Sequence, residues 1–339
     1  MPRGKGICYD PRRRPREGAG KERMAGTSIE NPVFLVGAER SGTTALRLML
    51  DHHPRVAWKY EFELSVEFLP REGGWPVMSA YHNWLENHRV FRASGLTLDR
   101  SLDYPGLMND FMRQIRETNG KPITGTTVHL HFDRILRIWP QARFIHLVRD
   151  PRDVAKSVIG MGWAGNVWVG VEVWIEAEGL WDNLRAELSP DRHIELQFES
   201  LMTQPEAELR RLCDFLGIEY DPAMLRYPEH TSYDAPDPNL VYQWKTKQTP
   251  REIQLVESRC AAHLVRRGYA LSGHPPVEVT PAMMAALRAQ DKRERVKFGI
   301  RRYGLSLVAQ GYLARRLGLK AWERAVDRRV QAITQKHLK

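Results

Sequence analysis

The chain has 339 residues, of which 42% are hydrophobic, and its ten tryptophans argue against general disorder. The net charge of +10 is concentrated at the ends: residues 1–30 carry eight Lys or Arg against four Asp or Glu, and residues 281–339 carry fifteen against four. The middle of the chain is therefore mildly acidic, which argues against a uniformly basic protein that binds nucleic acid.

Three cysteines, Cys8, Cys213 and Cys260, lie far apart and form no CxxC pair, so we expect reduced thiols and no metal site. The basic N-terminus lacks the apolar region of a secretory signal. No stretch approaches the roughly 18 uninterrupted apolar residues of a membrane span. These features predict a cytoplasmic protein.

The first predicted elements are a strand and a helix joined by a glycine loop. The run "VFLVG" (33–37) is continuously apolar and ends in glycine, which is typical of a buried parallel strand. "TTALRLMLDHHP" (43–54) follows with apolar residues at helical spacing and a proline just after them.

Strands and helices then alternate along the chain. We predict strands at 122–125, 142–148 and 193–198, and helices at 104–118, 131–138, 168–188 and 204–217, with helices alone after about residue 250. Such alternation predicts an α/β fold with a P-loop-like, mainly parallel sheet flanked by helices, and a helical C-terminal extension.

The loop "GAERSGTT" (37–44) nearly matches the Walker A phosphate loop. Gly37, Gly42 and Thr44 have the required spacing, but Thr43 stands where the lysine that reaches the β- and γ-phosphates would be. A glycine loop between a strand and a helix surrounds an anion with backbone N–H groups. The positive charge lies three residues earlier, at Arg40, which suggests a short 5′ anion and no Mg²⁺.

A second candidate anion site follows the strand at 142–148. In "FIHLVRDPRDVAKS" (144–157), Arg149 stands at the end of the strand and Ser157 lies on the helix that follows. Ligands of parallel sheets bind at the carboxyl ends of the strands. The two strand ends could therefore face one nucleotide that carries phosphates at two positions.

These two stretches resemble the sulfotransferases that use 3′-phosphoadenosine-5′-phosphosulfate (PAPS), in the branch with the tyrosylprotein and many bacterial sulfotransferases. "LQFESL" (196–201) resembles the strand and turn that close that family's nucleotide site. The resemblance covers roughly residues 31–270. It implies that the phosphosulfate is held by Arg40, Ser41, Gly42, Thr43 and Thr44, and the 3′-phosphate by Arg149 and Ser157.

Three residues are candidates for the general base: Glu61, its neighbour Glu63, and His129. Alignment from Arg40 places the catalytic glutamate of the tyrosylprotein branch at Glu61, and Glu63 would point the same way if the segment were extended. Cytosolic branches use a histidine instead, for which His129 is the candidate. No lysine accompanies His129, so the group that acts beside Arg40 on the bridging oxygen is left open.

The resemblance implies sulfuryl transfer from PAPS to a hydroxyl or amine acceptor without a metal, on a small-molecule, carbohydrate, lipid or peptide acceptor. A P-loop small-molecule kinase and a non-catalytic nucleotide-binding protein are the alternatives. The predicted domains are a basic disordered tail (1–30), a sulfotransferase domain (31–275) and a basic helical extension (276–339). The extension could contact a membrane surface or another subunit.

Overall fold

The computed structural model describes residues 31–335, which fall into two compact units. We call residues 31–149 and 176–241 the sheet unit, and residues 150–175 and 242–335 the helical unit. The predicted tail lies outside the described residues, and the predicted domain boundaries stay a prediction.

The sheet unit contains one sheet of five parallel strands in the order β2-β3-β1-β4-β5. The strands are β1 (Val33–Val36), β2 (Val56–Glu61), β3 (Ile123–Val128), β4 (Arg143–Val148) and β5 (His193–Gln197). β1 is central: Val33 pairs with Gly125 of β3 on one side and with Arg143 of β4 on the other.

The helices surround this sheet and fill the helical unit. They are α1 (Thr43–His52), α2 (Met78–Asn87), α3 (Arg89–Ser94), α4 (Tyr104–Asn119), α5 (Pro151–Gly160), α6 (Val167–Gly170), α7 (Glu172–Arg185), α8 (Phe198–Thr203), α9 (Pro205–Leu216), α10 (Trp244–Lys247), α11 (Pro250–Arg266), α12 (Pro281–Tyr303), α13 (Leu305–Arg316) and α14 (Lys320–Gln335). This architecture confirms the predicted α/β class with its C-terminal helices.

The core of the sheet unit follows from the apolar pattern of its strands and helices. All four residues of β1 are buried, as continuous apolar strands of a parallel sheet require. Leu46, Met49 and Leu50 of α1 lie on the buried face of that helix and join the same core cluster. α1 is therefore anchored along its length, and its N-terminus is held at the end of β1.

The helical unit is organised around a buried arginine. Arg152 in the first turn of α5 pairs with Asp150 at 2.6 Å and with Glu257 of α11 at 2.8 Å, and it lies over the Trp244 ring at 3.7 Å. A buried guanidinium is tolerated because both carboxylates and the ring replace its water. α11 starts with a capping box between Thr249 and Glu252.

Two predicted elements differ in the structure, and one strand was not predicted. The long helix predicted at 168–188 is divided at Val171 into α6 and α7, and the segment 131–138 forms a 3₁₀ helix, Phe132–Arg137. β2, an edge strand, was not predicted, because its "VAWKYE" mixes apolar and polar residues without clear alternation. Among residues 31–335, no helix has both the length and the apolar content to cross a bilayer.

Candidate functional site

The carboxyl ends of the five strands meet at one edge of the sheet, because all of them are parallel. The chain leaves β1 through α1 to reach β2 beyond β3, and it later passes from β3 to β4, on the other side of β1. The order of strands thus reverses at β1, which is where ligands of open α/β sheets bind. The loop 37–44 starts at this point.

Two glycines allow the loop to approach its neighbours closely. Gly37 has φ +144°, and a Cβ there would lie 2.3 Å from the backbone oxygen of Leu147 in β4. Gly42 has φ +93°, and a Cβ there would lie 2.3 Å from the Phe198 ring. Both positions require glycine on grounds of backbone conformation and of space. Arg40 also has a positive φ, of 69°, and its side chain is exposed.

The loop and the first turn of α1 form a cradle of hydrogen-bond donors. No side chain caps α1, whose N-cap residue is Gly42. Ser41 is fully buried, and within the described part of the chain its Oγ has no hydrogen-bond partner. A buried hydroxyl without a partner costs about 1–3 kcal/mol, so the position is explained best by a ligand that supplies the missing bond. Thr43 is buried and Thr44 half-buried beside it.

Arg149 lies at the end of β4 and reaches towards the same loop. Its Nη1 donates to the backbone oxygen of Arg40 at 3.3 Å and its Nη2 to that of Leu240 at 3.1 Å. Its guanidinium lies over the Phe198 ring at 4.2 Å. Phe198 therefore contacts Arg149 and also limits the space at Gly42.

Ser157, the predicted partner of Arg149, lies on α5 and is half-buried. It belongs to the helical unit, whereas Arg149 and the loop belong to the sheet unit. The joint binding of a 3′-phosphate by Arg149 and Ser157 stays a prediction.

Three carboxylates and a histidine form an acid–base group just after the ends of three strands: Glu39 follows β1, Glu61 and Glu63 lie at the end of β2, and His129 follows β3. The N–H of His129 donates to Oε1 of Glu63 at 2.9 Å, and Nδ1 of His129 is 2.9 Å from the backbone oxygen of Gly37. Since a carbonyl oxygen only accepts, Nδ1 carries the proton. In the neutral ring, Nε2 is then the basic nitrogen.

Burial and mutual charge shift the pKa values in this group. Burial raises the pKa of the Glu63 carboxyl to about 7, although His129 acts in the opposite direction through its charge and its N–H. Burial also raises the pKa of Glu39; His129 opposes this shift and the Glu61 carboxylate adds to it. Glu61 therefore acts electrostatically on a residue of the phosphate loop. It is the last residue of β2, and it is exposed.

Glu63 would point the same way as Glu61 only in an extended segment, and the segment is not extended at Glu63. β2 ends at Glu61, and a 3₁₀ helix, Glu63–Ser65, starts directly afterwards. Glu63 is thereby turned towards the backbone of His129. Glu39 and Phe198 were not predicted as single residues, although Glu39 lies inside "GAERSGTT" and Phe198 inside "LQFESL".

The site contains no metal-binding cluster within the described residues. Among residues 31–335, no set of three or more His, Cys, Asp or Glu side chains could hold a metal ion. The predicted metal independence stays a prediction.

An open parallel sheet with a lysine-free glycine loop at its switch point is an arrangement suited to binding an anionic nucleotide. A family model described as "Sulfotransferase family" matches residues 32–222, which is more than half of the chain. The chain therefore belongs to the sulfotransferase family and is a sulfotransferase enzyme, as the resemblance implied.

Two relatives and one solved structure show the range of this similarity. Protein-tyrosine sulfotransferase A of Caenorhabditis elegans is 23% identical over 286 residues, which cover 76% of this chain and 72% of the relative. Omega-hydroxy-beta-dihydromenaquinone-9 sulfotransferase Stf3 of Mycobacterium bovis is 29% identical over 167 residues, or 44% of this chain and 41% of the relative. The sulfotransferase domain from the curacin biosynthetic pathway has the same fold, with a TM-score of 0.53 and 21% identity over 72% of this chain and 100% of that chain.

Proposed function

We propose that the chain transfers a sulfuryl group from PAPS to a hydroxyl or amine acceptor by in-line displacement and releases 3′-phosphoadenosine-5′-phosphate (PAP). The observation that carries the proposal is the buried Ser41 hydroxyl, which has no partner within the described residues and lies at the uncapped start of α1. An anionic oxygen at this point would satisfy the hydroxyl and the first-turn N–H groups together.

Within this proposal the loop residues Arg40 to Thr44 hold the 5′-phosphosulfate. The bond between sulfur and the bridging oxygen breaks, and negative charge develops on the departing 5′-phosphate. Arg40 is exposed at the loop, where its guanidinium can stabilise that charge. Arg149 holds the 3′-phosphate and so fixes the position of the nucleotide.

We assign the general base to Glu61. As the acceptor oxygen bonds to sulfur, its proton passes to a carboxylate at the end of β2. Glu61 is the exposed last residue of β2, at the edge of the sheet where ligands of parallel sheets bind, which supports this assignment. Glu63 is less suited, because its carboxylate already accepts the N–H of His129.

His129 is the second candidate base, and one observation favours it. Its hydrogen bond to the backbone oxygen of Gly37 holds the ring with Nε2 as the basic nitrogen. The same bond ties the ring to the first residue of the phosphate loop. The two candidates therefore differ in chemistry and can be separated by substitution.

The names of two relatives, one for protein tyrosines and one for a hydroxylated menaquinone derivative, support a proposal for the acceptor class. The chemistry that these acceptors share is a hydroxyl group on an apolar or aromatic body. We therefore place this chain with peptide or lipid hydroxyls ahead of carbohydrates and amines. A cytoplasmic location remains our proposal; the free, buried thiols of Cys213 and Cys260 are consistent with it.

The test is a measurement of PAP release by the full chain from PAPS, with a tyrosine-containing peptide in one arm and a long-chain primary alcohol in the other. We expect acceptor-dependent PAP release in at least one arm without added metal. ATP with Mg²⁺ in place of PAPS should give no transfer. Phosphorylation of either acceptor would contradict the proposal in favour of a kinase, and PAP binding without turnover in any arm would favour a non-catalytic binding protein.

A further inference from the structure

The outer side of α13 carries apolar side chains where a helix at a protein surface usually carries polar ones. Leu305, Ala309, Tyr312 and Leu313 follow the spacing i, i+4, i+7, i+8, and all four are exposed. Leu317 and Leu319, directly after the helix, are exposed as well. We call these six residues the α13 apolar face. The exposed fractions of its large side chains range from 44% to 66%.

The opposite side of α13 packs inside the helical unit. Leu307, Gly311 and Ala314 are buried, and a Cβ on Gly311 would lie 3.4 Å from a methyl group of Val326 in α14. The α13 apolar face is therefore not required to hold the helix in place. A continuous exposed apolar patch of this kind marks an interaction site more often than a lone exposed leucine does.

The positive charge near the α13 apolar face favours an anionic partner. Residues 301–320 contain five basic side chains and no Asp or Glu. Four of them, Arg301, Arg302, Arg315 and Arg316, we call the basic flank; the fifth, Lys320, forms an ion pair with Glu323 at 3.0 Å. Nη1 of Arg316 also lies 3.4 Å from the hydroxyl of Tyr312, so the charge reaches the apolar face itself. A second copy would bring an equal positive charge against this one, which opposes self-association.

We propose that the α13 apolar face and the basic flank dock on the surface of a lipid bilayer that contains anionic lipids. Leucines and a tyrosine beside arginines are the composition of helices that lie in the membrane interface. The arginines reach anionic headgroups while their alkyl chains remain along the apolar layer. This surface is separate from the sulfuryl-transfer chemistry and does not depend on it.

The test is flotation of the full chain with vesicles of phosphatidylcholine alone and of phosphatidylcholine mixed with phosphatidylglycerol. We expect binding to the mixed vesicles only, and a loss of binding when salt is raised. The double variant Leu313→Glu with Leu317→Glu should weaken binding by about tenfold or more. Arg315→Gln with Arg316→Gln should weaken it by about fivefold per arginine, because each basic residue near the surface contributes about 1 kcal/mol.

Matched controls separate this surface from general effects. Val265→Glu changes an apolar side chain of α11 that is 55% exposed, against 44% for Leu313 and 62% for Leu317. Arg92→Gln with Arg226→Gln removes two exposed charges elsewhere. Both controls should bind mixed vesicles like the wild type. Circular dichroism and the melting temperature of each variant establish that it is folded before its binding is compared.

Three results would overturn the proposal. Binding of the α13 variants at wild-type strength would place the lipid contact elsewhere in the chain. Equal binding to neutral vesicles would remove the role of the basic flank. If the chain binds no vesicles, the face has a different partner, which sedimentation then identifies. A dimer that Leu313→Glu with Leu317→Glu dissociates would make the face a subunit interface. A monomer would indicate an acidic protein as the partner.

Discussion

At the scale of single residues, our proposal gives Arg40 and Arg149 different tasks. In the proposed reaction, charge develops at the loop that contains Arg40, whereas Arg149 is held by two backbone oxygens and the Phe198 ring at the end of β4. An interaction that strengthens only in the transition state changes kcat, and one that is equal in the ground state changes KM.

We therefore expect Arg40→Ala mainly to lower kcat and Arg149→Ala mainly to raise KM for PAPS. Steady-state kinetics with varied PAPS at saturating acceptor measures both values. Arg149→Lys, which keeps the charge but loses the planar fork, should recover only part of the KM defect. If both alanine variants changed KM alone, Arg40 would have no specific role in the transition state.

The second prediction at this scale separates the two candidate bases. Glu61→Gln keeps size and much hydrogen bonding but removes basicity, so turnover should fall by about 10²–10⁴. PAP affinity should stay close to that of the wild type, because in our proposal this carboxylate does not hold the nucleotide. His129→Ala should cost much less in kcat. The reverse ranking, measured with a true acceptor, would transfer the base to His129.

At the scale of secondary-structure elements, the site depends on how closely β1 approaches β4. A side chain at Gly37 would overlap the backbone oxygen of Leu147, which cannot move without disturbing the β4 ladder. Gly217 at the end of α9 also has a positive φ, of 73°, but has nothing within 4 Å of an added Cβ. The two glycines thus share a positive φ and differ in the space available to a side chain.

Gly37→Ala should therefore destabilise the protein by at least about 2 kcal/mol more than Gly217→Ala, since it adds overpacking to the cost of the positive φ. Urea unfolding of both variants measures the difference in the free energy of unfolding. Similar losses in the two would mean that the contact between the loop and β4 relaxes freely.

A second feature at this scale is the buried His146 of β4, which lies between two glutamates of neighbouring elements. Nε2 of His146 lies 3.1 Å from Glu178 of α7, and Nδ1 lies 3.5 Å from Glu195 of β5, which also pairs with Arg185 at 3.2 Å. The ring is stacked on Trp181 at 4.4 Å. Burial lowers the pKa of His146, but the two glutamates more than offset this and raise it above the ordinary value of 6.5.

A raised pKa in the folded state means that protonated His146 stabilises the fold. The contribution is fully present below pH 6.5 and is lost as the pH rises through the higher pKa of the folded protein. The free energy of unfolding of the wild type should therefore exceed that of His146→Gln most at mildly acidic pH, and the difference should shrink towards alkaline pH. Urea titrations of both proteins across this range provide the measurement; a difference that grows with pH would contradict the assignment.

Features that depend on neighbouring residues could be predicted from the sequence, whereas contacts between residues far apart in the chain could not. β1, the loop and α1 were predictable because glycine spacing and apolar periodicity act over a few residues. The contact between Glu63 and His129 was not, because it joins residues that are 66 positions apart and depends on the pairing of β2 with β3. Arg149 was predictable at a strand end, but its contact with Phe198 required the parallel pairing of β4 with β5.

At the scale of the whole molecule, most residues of the candidate site and the basic charge of the C-terminus lie in different units. The phosphate loop, Arg149 and the acid–base group belong to the sheet unit, while Ser157 and the helices α12 to α14 belong to the helical unit. The basic charge at the C-terminus lies outside the predicted catalytic region and is assigned here to a lipid surface. Nucleotide binding is the property that tests the proposed activity of the molecule without knowledge of its acceptor.

The most direct test of the central claim is a calorimetric titration of the full chain with PAP and, separately, with adenosine 5′-phosphate, in a buffer without divalent metal. If the loop holds the 5′ anion and Arg149 the 3′-phosphate, PAP should bind with a micromolar Kd, a free energy of roughly −8 kcal/mol. Adenosine 5′-phosphate, which lacks the 3′-phosphate, should bind much more weakly. Equal affinities for the two nucleotides, or no binding of PAP, would contradict the account.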